Sequence, residues 1–306
     1  MARGIPQMDA LETVSPSQPF VIWGLRFQRH THRYIHLSFY RALRRRRLPV
    51  VWLEDSPASI DRVPKGSVVL VFGGASRHVP VRPDLSFVSH NISEELFQRI
   101  ETLSRRQLTI QVWTRHSRGD QLTGESGVVY DRESRTLFQP WGTPWEPNDW
   151  EVPRVSVPRP GRFEFWIGSV WNNASGQGNQ EMIQSWKKSL KNQGVQFVKL
   201  PAGWPDSKRF YFPPTRASSF GASIVGKWQE LNEYLPCRVF KNLSSGVLPS
   251  GNNFGYTTIF GEYALVSDDL EDLVEKHSRL SSSDRYEMVL GAQQKMTSYT
   301  YESSLE

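Results

Sequence analysis

Short apolar runs alternate with longer amphipathic stretches along the first half of the chain. The run PFVIWGL at 19–25 predicts a buried strand, and apolar residues at every third or fourth position predict a helix at 34–46. A second apolar run at 49–53 predicts the next strand. Strand, loop, helix and strand in this order form the opening unit of a parallel, Rossmann-like sheet. The same patterning predicts strands at 67–72, 85–89 and 108–113, a helix at 93–103, and a hairpin of 127–130 with 136–138.

The pattern restarts in the second half, after a stretch rich in proline and tryptophan at 139–160. Strands are predicted at 163–167, 195–200, 218–225, 246–248 and 263–266, and helices at 179–192, 269–279 and 283–295. We therefore predict an α/β protein of two Rossmann-like domains with a cleft between them. In this prediction residues 1–18 are a loose tail, 19–155 the first domain and 156–306 the second.

A short predicted helix that begins near 236 concentrates candidate anion-binding residues on one face. Pro236 and Cys237 suit its start, and Gly246 suits the position just past its end. At helical spacing the two faces differ: Val239, Phe240 and Leu243 on the apolar side, and Arg238, Lys241, Asn242 and Ser245 on the polar side. The polar face suits a polyanion such as a diphosphate, and Lys227 and Trp228 lie just upstream of it. The alternative is a surface helix whose cations are merely solvated.

A polar loop between a predicted strand and a predicted helix is a second candidate site. The loop GSVWNNASGQG at 168–178 supplies Ser169, Asn172 and Gly178, and Asn179 is placed to cap the helix that follows. Backbone amides at such a position can cradle phosphate, and glycine lets a ligand approach. The glycine spacing differs from the dinucleotide-binding fingerprint, so a plain connecting loop is the alternative. Because carboxyl ends of parallel strands lie side by side, we expect this loop to face the same cleft as the short helix.

The run YLPCRVFKNLSSGVLPSGNNFGYTTIFGEYALVSDDLEDLVEKHSRL resembles the C-terminal signature of GT-B glycosyltransferases, in particular the family 1/4-like donor-binding domain. The resemblance covers 163–296 and implies the GT-B architecture, in which two Rossmann-like domains face a central cleft and this helix holds a nucleotide-sugar. The donor-binding residues it implies are Ser169, Asn172, Gly178, Asn179, Lys227, Trp228, Arg238, Lys241 and Asn242. Lys241 departs from the pattern, which has a glutamate bonded to the donor ribose. A lysine cannot accept hydrogen bonds, so we expect Lys241 to contact phosphate.

The first βα loop, 26–36, holds three of the seven histidines, His30, His32 and His36. Histidine is a natural general base near neutral pH, and the resemblance implies that this loop faces the cleft and carries the base for the acceptor hydroxyl. His32 and His36 are therefore the catalytic candidates, and His32 is favoured because it precedes the predicted helix, whereas His36 lies in its first turn. A structural or capping role is equally open, and a zinc site would lack a third ligand at suitable spacing. We expect the arginines of this loop to bind the acceptor: Arg26, Arg29 and Arg33.

Charge is unevenly distributed along the chain, whose net charge is +6. Residues 1–60 carry nine arginines and four acidic residues, whereas 251–306 carry four basic and ten acidic residues. A basic nucleic-acid binder would rarely end so acidic, so no nucleic-acid partner is expected. The sharpest cluster is either a solvated helix end or a patch that docks on an anionic membrane; it comprises Arg44, Arg45, Arg46 and Arg47.

The single cysteine, Cys237, excludes an internal disulfide and fits a reducing compartment. The sequence has no apolar run of membrane-spanning length and no secretory-signal pattern at its start. We therefore expect a cytoplasmic protein, peripheral to a membrane surface at most. The sequence also lacks a DxD motif, so no metal is expected, and no cofactor besides the nucleotide-sugar that serves as co-substrate.

These expectations combine into a metal-independent glycosyltransferase of the GT-B type. It would move a sugar from a nucleotide-sugar to a hydroxyl of a glycan, polysaccharide or lipid-linked acceptor, with the donor in the second domain and the acceptor in the first. The alternative is a non-catalytic two-domain α/β protein that binds a nucleotide or a nucleic acid. Such a binder needs one continuous basic face, whereas a transferase needs cations at strand ends inside a cleft. A two-domain enzyme acting on phosphorylated sugars, such as an epimerase, is the third alternative.

Overall fold

The computed structural model describes residues 18–28, 31–73, 77–104, 106–112, 129–152, 163–172, 176–201, 204–205 and 207–305, without the side chain of Thr31. The first half forms a seven-stranded sheet in the order β2-β1-β3-β4-β5-β7-β6. Its strands are β1 (Phe20–Trp23), β2 (Val50–Leu53), β3 (Val68–Phe72), β4 (Ser86–His90), β5 (Gln107–Gln111), β6 (Val129–Asp131) and β7 (Thr136–Phe138). The strands pair in parallel except for the antiparallel hairpin of β6 and β7, which confirms the predicted parallel sheet and hairpin.

Helices cover both faces of this sheet. They are α1 (Thr31–Arg45), α2 (Pro57–Ile60) and α3 (Glu94–Leu103). The five residues of β3 are all buried, as expected for a central strand that is covered on both sides. On one face Phe39 of α1 packs in a core with Leu70, and on the other face Ile100 of α3 packs in a core with Val69. Alternate residues of one strand therefore build two separate cores.

The second half contains two short pairs of parallel strands surrounded by helices. The strands are β8 (Phe163–Trp166), β9 (Gln196–Lys199), β10 (Ser250–Gly251) and β11 (Leu265–Val266). The helices are α4 (Gln180–Asn192), α5 (Lys208–Ala217), α6 (Lys227–Leu231), α7 (Cys237–Ser244), α8 (Gly255–Phe260), α9 (Leu270–Arg279) and α10 (Ser282–Met296). Strand β8 pairs with β9, and β10 pairs with β11.

A segment without regular strand structure, 219–225, joins the two strand pairs. The Glu164 carboxylate accepts hydrogen bonds from the backbone amides of Phe220 (3.0 Å), Gly221 (3.1 Å) and Ala222 (3.1 Å). On the other side the amide of Ser223 donates to the carbonyl of Ser250 (2.8 Å). The prediction of a strand at 218–225 is therefore wrong, because a side-chain carboxylate replaces the carbonyls of a strand ladder. The predicted strand at 246–248 is also wrong, since the extended pairing begins at Ser250.

Contacts between the two halves concentrate near α1, β5 and the end of the chain. The amide of Leu235 donates to the carbonyl of Val112 (2.9 Å), and the Tyr34 hydroxyl donates to the carbonyl of Trp204 (2.8 Å). Tyr301, near the end of the chain, is buried in the core of the first half, 5.0 Å from Phe39 between ring centroids. The predicted domain boundary near 155 and residues 1–17 of the predicted tail lie outside the described residues.

Several helix ends agree with the sequence signals. Helix α7 begins at Cys237, and Gly246 beyond its end has φ +78°. The Asp269 side chain caps α9. Helix α5 was not predicted because its Pro213 and Pro214 are typical helix breakers. Within the part of the chain that is described, no helix has the length and apolar character needed to cross a membrane.

Candidate functional site

The carboxyl end of β8 holds a cation contributed by α7. Nε of Arg238 donates to the carbonyl of Ile167 (3.0 Å), and its guanidinium carbon lies 3.5 Å from the centroid of the Trp166 ring. A Cβ added to Gly168 would overlap Nη2 of Arg238, so glycine at that position makes room for the guanidinium. No carboxylate among the described residues lies within salt-bridge distance of Arg238.

Burial lowers the pKa of Arg238, and the nearby Tyr211 and Cys237 act in the opposite direction. A guanidinium nevertheless keeps its charge at neutral pH. A partly desolvated cation without a counterion is unfavourable, and an incoming anion would relieve that cost. The position therefore suits a phosphate or another anionic group.

Lys241 lies one turn further along α7, where the two halves meet. Its side chain is buried, and Nζ lies 5.2 Å from the ring centroids of both Tyr34 and Tyr211. Tyr34 belongs to α1 in the first half and Tyr211 to α5 in the second. Cation–π attraction at both rings thus holds the second cation of the helix at the junction.

Asn242 shares the polar face of α7, but its amide is used within the fold. Its Oδ1 accepts from the Tyr211 hydroxyl (2.9 Å), and its Nδ2 donates to the carbonyl of Gly221 (2.7 Å). Asn242 and Ser245 are both buried. The predicted polar face is thus split into two cations, an asparagine that bonds to neighbouring segments, and Ser245, whose hydroxyl donates to the Asn242 carbonyl at the end of α7 (2.7 Å).

The loop 168–172 is tied to the start of α4 by Asn179, in a way that differs from the predicted cap. Oδ1 of Asn179 accepts from the amide of Trp171 (3.0 Å), and Nδ2 donates to the carbonyl of Ser169 (3.1 Å). The backbone amides of Asn179 and Gln180 donate to the carbonyl of Trp171 (2.9 and 3.2 Å). The prediction that the Asn179 side chain caps α4 is therefore wrong, because this side chain bonds the preceding loop instead.

Asn172 and Gly178 belong to the same folded loop. The Gly178 amide donates to Oδ1 of Asn172 (3.3 Å), and a Cβ on Gly178 would overlap the carbonyl of Trp171. A Cβ on Gly226 would overlap the carbonyl of Gly178, so the loop packs directly on the start of α6. The structure thus brings the predicted donor loop beside the helix that carries Lys227 and Trp228.

Lys227 and Trp228 occupy the first turn of α6. Nζ of Lys227 pairs with Oε1 of Glu230 (2.9 Å) and is largely exposed, and Trp228 is half-buried. Lys227 therefore stands at the rim with a carboxylate partner, in contrast to Arg238.

His32 lies at the carboxyl edge of the first sheet. Helix α1 begins at Thr31, so His32 belongs to its first turn and not to a loop. A Cβ added to Gly73, just after β3, would overlap the His32 imidazole, and the His90 ring at the end of β4 lies 6.0 Å away between centroids. His90 is buried, its Nδ1 is 2.7 Å from the carbonyl of Ile110, and burial lowers its pKa to about 4. His90 is therefore neutral, and its ring packs beside the half-buried His32 at the sheet edge.

His36 occupies a different environment one turn further along α1. It has no exposed surface, its Nδ1 lies 3.1 Å from the carbonyl of Gly24, and its ring centroid is 5.3 Å from that of Phe72. The structure thus separates the two catalytic candidates: His32 lies at the edge, and His36 lies in the core.

An exposed aromatic residue that the sequence reasoning missed lies beside Arg26 in the first βα loop. Phe27 is 78% exposed, and the guanidinium carbon of Arg26 lies 5.2 Å from its ring centroid. Nη1 of Arg26 donates to the carbonyl of Trp52 (3.2 Å), and Nε of Arg33 donates to the carbonyl of Arg26 (3.0 Å). Arg29 lies outside the described residues. The sequence did offer a signal for Phe27, because it is a large aromatic residue in the otherwise polar run RFQRHTHR at 26–33.

Two further expectations concern the arginine cluster and a metal. Arg45 pairs with Glu146 (3.1 Å) and Glu302 (2.9 Å), which fits a helix end packed against neighbouring acidic residues. Among the described residues, no group of three histidine, cysteine, aspartate or glutamate side chains could hold a metal ion.

Comparison with known proteins gives a structural relative. No protein-family model matches the sequence, and a search of curated proteins found no match. An alpha-glucosyltransferase in complex with UDP and a 13-mer DNA containing an HMU base matches 94% of this chain and 97% of its own, with a TM-score of 0.55 and 12% sequence identity. This likeness confirms the predicted GT-B-like α/β fold. It does not show that the second half belongs to the glycosyltransferase family 1/4-like group that the sequence resemblance implies.

The expectation of no nucleic-acid partner is wrong, because a protein of this fold has been solved with DNA. The expectation came from charges counted along the sequence, and such a count does not show on which surface the charges lie. Some acidic residues of the last segment are neutralised within α9, where Asp272 pairs with Lys276 (2.8 Å) and Glu275 pairs with Arg279.

Proposed function

We propose that the protein is a glycosyltransferase that moves a sugar from a nucleotide-sugar donor to a hydroxyl group carried by a nucleic acid. The observation that carries the proposal is the Arg238 guanidinium, which lies without a described carboxylate partner at the carboxyl end of β8. Two facts about the fold support it: the fold is shared over 94% of the chain with a glucosyltransferase, and that glucosyltransferase was solved in complex with UDP and DNA.

The donor would bind in the second half. Arg238 and Lys241 of α7 would face the diphosphate, and the loop with Ser169, Asn172, Gly178 and Asn179 would line the opposite side, with Lys227 and Trp228 at the rim. When the bond between the sugar C1 and the diphosphate oxygen breaks, negative charge grows on the leaving group. Fixed cations in a partly buried site stabilise that charge without reorganising, which lowers the barrier.

The acceptor would bind against the carboxyl edge of the first sheet. Its hydroxyl oxygen forms the new bond to C1, and its proton passes to the imidazole of His32. His36 is not proposed as the base, because it is wholly buried in the core. Arg26, Arg29 and Arg33 would contact backbone phosphates, and the exposed Phe27 offers a face on which a base can stack.

A transfer assay with UDP-glucose and short DNA duplexes tests the proposal. Duplexes with and without an HMU base form a matched pair that differs in one hydroxyl group. We expect sugar transfer to the hydroxyl-bearing duplex and none to its partner. Transfer to free glycans but to neither DNA nor RNA with added hydroxyl groups would overturn the nucleic-acid acceptor. UDP binding without transfer to any acceptor would favour the non-catalytic binding protein.

A further inference from the structure

A cavity of about 1030 Å³ lies on the side of the second half opposite Arg238. Its walls include Val195 just before β9, Phe220 at the start of the central segment, and Leu248 just before β10. These positions are all at the amino ends of parallel segments. Ile167 and Gly168, which border Arg238, are at the carboxyl end of β8. The cavity is therefore separate from the proposed donor site.

Arg285 of α10 lines this cavity and is held by His277 of α9. Nη1 of Arg285 lies 3.2 Å from Nδ1 of His277, and Nη2 donates to the His277 carbonyl (2.9 Å). Burial, and next the charge of Arg285, lower the pKa of His277 to about 3, so the imidazole is neutral and Nδ1 can accept. No described carboxylate lies within salt-bridge distance of Arg285. This guanidinium is thus fixed by a neutral partner and keeps an uncompensated charge.

The His277 ring itself is unusual. It is 1% exposed and lines the cavity, and its Nε2 has no hydrogen-bond partner among the described residues. Because Nδ1 accepts from Arg285, the ring proton belongs on Nε2. A buried donor without a partner is costly, and polar groups left in this way commonly mark a binding site.

Three more cations line the same cavity. Lys208 pairs with Asp149 (3.1 Å) and Arg216 pairs with Glu151 (2.9 Å), whereas Arg209 is exposed and has no carboxylate partner among the described residues. Two of the four cations are therefore neutralised and two are not. The cavity presents a net positive charge around one guanidinium of fixed orientation, which is the chemistry that phosphate requires.

We infer that this cavity is a second phosphate-binding site, in which Arg285 makes the central contact and Arg209 the supporting one. The inference does not depend on the proposed function, since the cavity lies away from the edge that would hold donor and acceptor. The phosphate could belong to a free nucleotide or to the backbone of a nucleic acid, and both sources present the same group to Arg285.

Isothermal titration with inorganic pyrophosphate tests the number of sites. We expect two sites in the natural protein, loss of one in Arg285→Gln, and loss of the other in Arg238→Gln. The expected weakening is about 10-fold to 100-fold for loss of a charge-assisted hydrogen bond. Arg279→Gln is the matched control: Arg279 is exposed on α9 and paired with Glu275, and both sites should persist in that variant.

Arg285 also joins α9 to α10, so Arg285→Gln could fail to fold. Arg209→Gln removes an exposed side chain and should weaken the second site about 10-fold in a folded protein. If the titration shows a single pyrophosphate site that is lost in Arg238→Gln and unchanged in Arg285→Gln and Arg209→Gln, that result would overturn the inference and keep the proposed donor site. A single site that is unchanged in Arg238→Gln, lost in Arg285→Gln and weakened in Arg209→Gln would overturn the donor site and support the cavity.

The source of the phosphate is resolved in the Arg238→Gln background. UMP and a short DNA duplex are titrated separately, each with and without the added Arg285→Gln change. Binding of UMP that depends on Arg285 identifies a nucleotide site, and binding of duplex that depends on Arg285 identifies a nucleic-acid contact. If neither probe depends on Arg285, the inference is wrong.

Discussion

The guanidinium carbon of Arg238 lies 3.5 Å from the centroid of the Trp166 ring, although the two residues are far apart in sequence. The stacked ring and the Ile167 carbonyl hold the guanidinium in one orientation. A planar, delocalised cation can stack face to face on a ring while its N–H groups donate hydrogen bonds, whereas an ammonium has no plane to stack. The geometry therefore explains why the polar face of α7 carries an arginine at this position.

Arg238→Gln should weaken UDP binding by about 1.5–3 kcal/mol, because it removes a charge-assisted contact to phosphate. Arg238→Lys should recover only part of the loss, since lysine keeps the charge without the stacked plane. Isothermal titration with UDP measures both variants, and Arg279→Gln on α9 is the control. Equal affinity in the natural protein and Arg238→Gln would show that α7 is a surface helix with a solvated cation.

Gly168→Ala should weaken UDP binding about tenfold while the fold persists. Its new Cβ would overlap Nη2 of Arg238 and push the guanidinium out of position. Gly176→Ala is the matched control, because Gly176 also has positive φ (+68° against +148°) but nothing within 4 Å of its Cβ position. Both variants should lose about 1 kcal/mol of stability from backbone strain. If UDP affinity fell equally in both, the Arg238 explanation would fail.

His32→Ala should keep UDP affinity and lose about 10²–10⁴ in turnover, because a general base acts on the acceptor proton and touches no donor phosphate. His36→Ala should instead destabilise the fold by about 2–4 kcal/mol, since it empties a buried position and removes the bond to Gly24. A transfer assay, a UDP titration and urea unfolding separate these effects. Full turnover in a folded His32→Ala protein would rule out this histidine as the base.

Glu164 should make stability depend on pH. Burial raises its pKa from 4.5 to about 7, although three backbone amides oppose the shift. Between these values the folded protein holds a proton that the unfolded chain releases. The contribution of Glu164 to the free energy of unfolding should therefore be greatest below pH 4.5 and be lost as the pH rises through 7, by on the order of 3 kcal/mol.

Glu164→Gln has the same size and does not titrate, so it is the reference for this measurement. Urea unfolding of both proteins from pH 4 to pH 8 gives the difference in stability. That difference should change over the stated window and level off about one pH unit above the folded-state pKa. A constant difference throughout would mean that Glu164 titrates alike in the folded and unfolded states.

Arg33→Gln should reduce the salt dependence of nucleic-acid binding. Each phosphate contact contributes about 0.9 to the slope of log affinity against log salt concentration, so the slope should become shallower by about one. Arg99→Gln is the control, because Arg99 is exposed on α3, which packs on the opposite face of the sheet from α1. A slope that changes equally in both variants would indicate a diffuse charge effect and no specific contact.

Much of the fold was accessible from local pattern. The buried run of β3, the stripe of α1, the start of α7 at Cys237 and the cap at Asp269 were all predicted, because periodicity and end signals depend on neighbours within a few residues. Errors arose where a distant side chain takes over a local role. Glu164 supplies the hydrogen bonds that a strand would give to 219–225, and Asn179 bonds the preceding loop instead of capping α4.

The residue types of the candidate site were likewise visible in the sequence, while their partners were not. Lys241 meets Tyr34, and Arg238 meets Trp166, through contacts that arise only when helices and strands from distant parts of the chain pack together. Sequence position favoured His32 over His36 as the base, but only packing showed that His32 lies at the sheet edge and His36 in the core. A charge count likewise says nothing about pairing: it cannot show that Arg45 has carboxylate partners while Arg238 and Arg285 have none among the described residues. Interactions between neighbouring residues determine which helices and strands form and which side chains they present. The burial of those side chains and their charge partners depend on contacts between distant parts of the chain.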